Sequence, residues 1–254
     1  MKARIRTICL SLLMVLPLGL MAQTGYDIAK AMDEKATPTD MKAEMSMVLT
    51  NKQGKSREST IRSITADDNR KQIIWFLSPA DDEGVAFLKI EHEDGDDEMR
   101  LWLPAFKKVR RISSKKKADS FMGSDMSYED MTSRELSEYT YELKGEKVID
   151  GVPCHILEST PNPGVTRTYK RFVTYVSKAD MVAMLDEAYD MRDKLLKRRV
   201  LKYQKEKGYD LPVEVYVENV QKEHNTRLTF ANIEVDTGVK EDLFQEKNLK
   251  RMPR

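Results

Sequence analysis

Beyond residue 40 the chain is written in short runs where apolar and polar residues alternate, cut at close intervals by turn-forming clusters. A period of two sends successive side chains to opposite faces of a strand, so this pattern favours antiparallel β structure over helix. Met41, Ala43, Met45, Met47 and Leu49 alternate with Lys42, Glu44 and Ser46, and residues 51–54 turn the chain. Residues 73–77 form a continuous apolar run closed by Ser78-Pro79. Strands over 85–90 and 99–103 flank the acidic stretch 91–98, where Asp94-Gly95 is a hairpin signal. Further strands are expected over 139–144, 147–149, 154–158 and 168–176, with turns at Asp150-Gly151 and 161–164. Over 211–217, Val213, Val215 and Val217 face one way while Glu214, Tyr216 and Glu218 face the other. Leu228 and Phe230 mark the last long strand, and Leu243-Phe244 anchors a C-terminal turn.

Helical spacing is clear only over 24–36, where Ile28, Ala29, Met32 and Ala36 share a face behind Thr24 as cap. Residues 180–204 stay ambiguous. Met181, Met184, Leu185, Ala188 and Met191 fit a helix, whereas Leu195, Leu196, Val200 and Leu201 fit neither period. With no repeat and no linker, the expectation is one antiparallel domain of about ten strands with one or two helices. A sheet of that size must curl or close, which gives an apolar interior. The same alternation suits a two-sheet sandwich.

The first 22 residues have a separate logic. Lys2, Arg4 and Arg6 precede an apolar run over 8–20 that ends near Met21-Ala22, the layout of a secretory signal cleaved after Ala22. That run falls short of the ~20 residues a membrane-spanning helix needs. Gln23 stands where a lipoprotein would carry its cysteine, so a lipid anchor is not expected. A single domain over 23–254 follows. It keeps one cysteine, Cys154, read either as a buried apolar residue on a strand or as a partner for another chain. It carries 40 basic and 42 acidic residues, a balance that argues against nucleic acid as the main partner. The charges are interspersed with apolar residues, as in a folded chain.

One segment is not generic. Residues 99–131 contain Trp102-Leu103-Pro104, then Lys108-Val109-Arg110-Arg111-Ile112, then Phe121-Met122-Gly123-Ser124-Asp125 and Tyr128-Glu129-Asp130. On these motifs, with Gly151-Val152-Pro153-Cys154 and the stretch 238–244, the chain resembles the LolA-like, outer membrane lipoprotein-sorting group of periplasmic proteins. The resemblance covers nearly all of the chain from residue 24. It implies an incomplete antiparallel β-barrel closed by helices, a periplasmic location, and an apolar interior that takes acyl chains. It also implies two partner classes: lipid or acylated lipoprotein as cargo, and an inner-membrane transporter of the RND type. The carrier family's interior arginine has no counterpart that the sequence identifies.

On that reading Met41, Met45, Met47, Trp102, Phe121 and Met122 are candidates for the acyl cavity or its mouth. Gly123, Ser124, Asp125, Tyr128, Glu129 and Asp130 form the motif loop. Gly123 is read as permitting a backbone conformation closed to other residues, and Asp125 as capping a helix that begins within 127–131. The methionines suit an adaptable apolar surface, and equally an ordinary core. Lys107, Lys108, Arg110 and Arg111, with Lys115, Lys116 and Lys117, meet anionic headgroups or an acidic partner, or else form a solvated loop. The acidic stretch 91–98 reads as a charged hairpin tip rather than a calcium loop. Gly123-Ser124-Asp125 lacks the glycine pair of a nucleophile elbow, and His92, His155 and His224 show no metal spacing. No enzyme, metal or cofactor is expected, and the protein is read as a monomeric carrier in at most peripheral contact with the membrane. Two other classes stand beside the carrier: a transporter accessory subunit that carries nothing, and an exported enzyme of unknown chemistry.

Overall fold

The computed structural model describes residues 23–92 and 95–251. The expected signal segment, residues 1–22, lies outside the described residues, as does Asp94 of the hairpin signal. Helix α1 (Gly25–Asp33) opens the fold. Thr24 caps it through a reciprocal box, accepting from the Asp27 amide at 3.1 Å while its own amide reaches the Asp27 carboxylate at 2.9 Å.

Thirteen strands follow in one antiparallel sheet. The first six are β1 (Asp40–Thr50), β2 (Ser56–Ala66), β3 (Lys71–Ser78), β4 (Ala86–Ile90), β5 (Glu98–Leu103) and β6 (Lys108–Arg111). The other seven are β7 (Tyr139–Ile149), β8 (Val152–Pro161), β9 (Arg171–Ser177), β10 (Ala183–Tyr189), β11 (Leu195–Glu206), β12 (Tyr209–Asn219) and β13 (His224–Val235). Each half is a simple meander, and the two halves join where β1 pairs with β13. The sheet ends at β6 and β7, which do not pair, so it curls without closing into a barrel.

Three expectations are corrected. The strand β2 was not foreseen: Ser56–Ala66 offers only Ile61 and Ile64 as large apolar residues, and its inward Ser63 and Thr65 hide the period. The ambiguous stretch 180–204 is not helical but forms the hairpin β10–β11, whose inward positions include the polar Asp186. The segments 139–144 and 147–149 are one strand, broken in register between Leu143 and Gly145.

The unbroken apolar run in β3 has a packing cause. In β3 to β5 both faces are covered. Ile74, Phe76, Phe87 and Met99 point inward, and Trp75, Ala86, Leu88 and Trp102 point outward under Phe244 and Leu249 of the C-terminal segment. A strand buried on both faces has no reason to alternate. In the second half, α1 seals the inner face over β7 and β8 through Ile28 and Ala29. Its approach is close enough that a Cβ on Gly25 would stand 2.8 Å from the Glu142 amide nitrogen. Cys154 is fully buried on β8, and no disulfide occurs among the described residues.

Candidate functional site

The inward faces of β1, β2, β3 and β11 to β13 enclose a chamber of about 340 Å³. Met41, Met45 and Met47 line it from β1, with Phe230 beside Met45 on β13 and Val215 and Leu201 on β12 and β11 beyond. At its polar rim stand Asp68, Asn69 and Gln72. Its size is at the lower end of ordinary ligand pockets. The wall follows from the period of two: the odd-numbered residues of β1 share one face, so the methionine series of the sequence lines a single surface.

The long connection between β6 and β7 fills the rest of the interior and forms the chamber's remaining side through Phe121, Met126 and Met131. Phe121 is buried against Phe87, Tyr128 and Phe76, at ring-centroid distances of 5.2, 5.8 and 6.2 Å. Behind it, Met122 and Gly123 both take left-handed backbone conformations, φ +50° and +80°, and the Ser124 amide closes the turn on the Phe121 carbonyl at 2.9 Å. Glycine adopts that conformation without steric cost, which accounts for Gly123.

The motif's polar residues fasten this plug to the sheet. Asp125, buried, lies 2.7 Å from Nδ1 of His224, and Thr226 Oγ1 donates to it at 2.8 Å. It does not cap the following turn. That turn is a single 3-10 turn, Glu129–Met131, and it is held instead by Asp130, which accepts from the Ser127 amide at 2.7 Å. Asp130 also accepts from Lys197 at 2.7 Å and from the Tyr169 hydroxyl at 2.9 Å. Glu129 takes the Thr168 amide and hydroxyl. Fully buried Lys89 donates to the Met131 carbonyl at 2.7 Å and to Glu91, which in turn accepts from the Ser133 amide at 2.9 Å. Burial lowers the Lys89 pKa, against the opposing charge of Glu91.

Beside the apolar chamber lies a second one of about 250 Å³ with a different lining. Arg134, Arg167 and Arg199 face Glu129, Asp130 and Asp186 across it, with Tyr139 and Tyr169 alongside. Asp130 and Arg199 belong to both chambers and form their common wall. Asp186 accepts from Arg199 at 2.8 Å and from Thr174 at 2.7 Å, and it pairs with Arg134, whose guanidinium stacks on Phe172 at 3.5 Å. Burial alone would raise the Asp186 pKa; Arg134 and Arg199 outweigh it and hold the carboxyl well below the usual carboxylate range. Asp130 is lowered the same way, burial being opposed by Lys197. Burial pushes Tyr139 up to about 12.

The structure thus brings Met41, Met45, Met47 and Phe121 together at the chamber and leaves others elsewhere. Trp102 is not a cavity residue. On β5, Met99 and Leu101 take the inner positions, so Trp102 points to the outer face beneath Phe244, with Lys250 5.0 Å from its ring. Met122 packs on the core next to Phe121 without reaching the chamber. The basic residues Lys108, Arg110 and Arg111 lie exposed on edge strand β6 rather than on a loop, with Lys107 at its start and Phe106, 70 % exposed, at the tip. Arg134, Arg167, Asp186, Lys197 and Arg199 were not foreseen as site residues. Single charges on short strands look like ordinary surface residues, and only the burial of Asp186 marks them. Among the described residues no group of acidic, histidine and cysteine side chains is arranged to hold a metal ion, and no helix is long and apolar enough to cross a membrane.

A family model described as "Uncharacterized protein"-like matches residues 68–251. A DUF1329 family protein from Desulfovibrio piger is 32% identical; the match covers 89% of this chain and 97% of that one, with a TM-score of 0.83. A proposed outer membrane lipoprotein-sorting protein domain from Vibrio parahaemolyticus is 30% identical, covering 89% and 98%, with a TM-score of 0.84. A LolA superfamily protein from Nitrosomonas europaea shares 16% identity over 89% and 99%, with a TM-score of 0.70, a likeness of fold alone. No curated protein matches the chain.

Proposed function

The chain belongs to the LolA-like family of outer membrane lipoprotein-sorting proteins, and from that premise we propose that it is a periplasmic carrier whose apolar chamber shields acyl chains of a lipid or lipoprotein. The observation that carries this reading is the apolar chamber lined by the β1 methionines with Leu201, Val215 and Phe230, and bounded on one side by the plug. Each buried CH₂ contributes roughly 0.8 kcal/mol, so even part of one acyl chain inside it supplies useful affinity. Unbranched methionine side chains adapt to a flexible tail better than a rigid aliphatic wall would. The carrier works by affinity differences between donor and acceptor, not by catalysis. The exposed strip of Lys107, Lys108, Arg110 and Arg111, tipped by Phe106, suits transient contact with anionic headgroups.

Native mass spectrometry with solvent extraction, on full-length protein exported and purified gently, tests the reading. Co-purified phospholipid or acylated peptide supports it. An apo mass that takes up no added acyl probe overturns it. One observation favours an accessory subunit that carries nothing: Phe121 and Tyr128 already occupy much of the interior. Pull-down of an RND-type transporter by a protein that binds no lipid supports that second reading.

A further inference from the structure

The two chambers differ in what they leave unsatisfied. In the polar chamber the acceptors are filled: Asp130 by Lys197, Tyr169 and Ser127, Asp186 by both arginines and Thr174, Glu129 by Thr168. Donors remain. Nε of Arg199 and Nε of Arg167 are both buried and have no hydrogen-bond partner, and both side chains line this chamber. Arg167 is ion-paired with Glu138 and Arg199 with Asp186, each through a terminal nitrogen, which leaves the two Nε groups without an acceptor. A buried guanidinium N–H in that state is costly and favours an added oxygen. Guanidinium groups match carboxylate and phosphate oxygens best, because charge and fork geometry act together. Arg199 also walls the apolar chamber, so an amphiphile with its tail among the methionines has its head at the arginines.

We propose that the polar chamber is a headgroup site, in which Arg199 and Arg167 take the anionic carboxylate or phosphate end of the amphiphile whose acyl tail occupies the apolar chamber. The inference rests on the carrier reading, and it adds a selectivity that tail burial cannot provide. A tail in an apolar chamber does not distinguish an acid from an alcohol of the same length. A site with two unpaired guanidinium donors does.

The test uses delipidated full chain and three probes of one chain length: dodecanoate, dodecyl phosphate and dodecanol. The two anions should bind about tenfold or more tighter than the alcohol, the fold-change expected for one charge-assisted hydrogen bond. Arg199→Met should abolish that preference, so that the two anions bind no tighter than dodecanol does to the same variant. The substitution removes Arg199 from Asp186 but leaves that buried carboxylate paired with Arg134 and Thr174. Arg167→Met, a second variant on the other orphaned donor, should reduce the preference if Arg199→Met does not fold. Equal binding of all three probes by the unaltered protein overturns the headgroup site and leaves the carrier standing. Binding of none overturns both. Displacement of dodecyl phosphate, but not dodecanol, by millimolar inorganic phosphate alone would make the chamber a free-anion site and overturn the headgroup assignment.

Discussion

The Asp125 carboxylate lies 2.7 Å from Nδ1 of His224, ninety-nine residues away, and this contact fastens the interior plug to the start of β13. Thr226 reinforces it twice, donating its hydroxyl to the carboxylate and accepting the Asp125 amide at 2.9 Å. The motif loop is therefore a structural clamp over the chamber.

Asp125→Ala should free that clamp. The expected cost is about 2 kcal/mol, because a buried hydroxyl and a ring nitrogen lose their acceptor. Hydrogen exchange should accelerate over residues 119–131 more than in β3 or β4. Unchanged protection there would mean that the other anchors, Asp130 and Lys89, hold the plug alone.

Phe121 could stand at the chamber's mouth or pack among the core rings beneath the sheet. Its 2 % exposure and its contacts with three rings decide for the second. Phe121→Asp should thus destabilise the whole protein by about 4 kcal/mol or more, through the lost packing and the buried charge. A denaturant midpoint equal to the unaltered protein's would contradict this placement.

Asp186 gives a pH dependence of known sign. Its folded pKa lies below the unfolded value of about 3.9, so its contribution is complete above that value. The contribution is lost as pH falls from there towards the folded pKa. Asp186→Asn should cost about 3–5 kcal/mol at neutral pH by stranding two guanidinium groups, and should flatten the acid limb of the stability profile. Parallel acid limbs for the two proteins would show that other carboxylates govern acid unfolding.

Val215→Phe tests the chamber itself. Val215 is half-buried and faces the void, so the larger ring fills space that an acyl tail would use. Displacement of a bound fluorescent fatty acid should show affinity reduced several-fold while the melting temperature holds or rises, as for a cavity-filling change. Undiminished affinity in the folded variant would locate the tail elsewhere.

What the sequence determined is local. A period of two fixes which residues of β1 share a face, so Met41, Met45 and Met47 were legible as one surface. Thr24 and the spacing of Ile28, Ala29 and Met32 specify α1 without tertiary help. The motif from Phe121 to Asp130 pointed to the family and marks the long irregular connection between β6 and β7. The pairing of β1 with β13, across nearly the whole chain, is not written in any local pattern; it forms because both strands bury one face and each needs a neighbour. The outward position of Trp102 depends on Phe244 arriving from the far end of the sequence. The charged wall is the clearest case. Asp130, Asp186, Lys197 and Arg199 are unremarkable one by one, and they become a site only because three separate segments, the plug, β10 and β11, turn them into one low-dielectric space. There each charge must find a partner, and each does, while Nε of Arg199 is left without an acceptor.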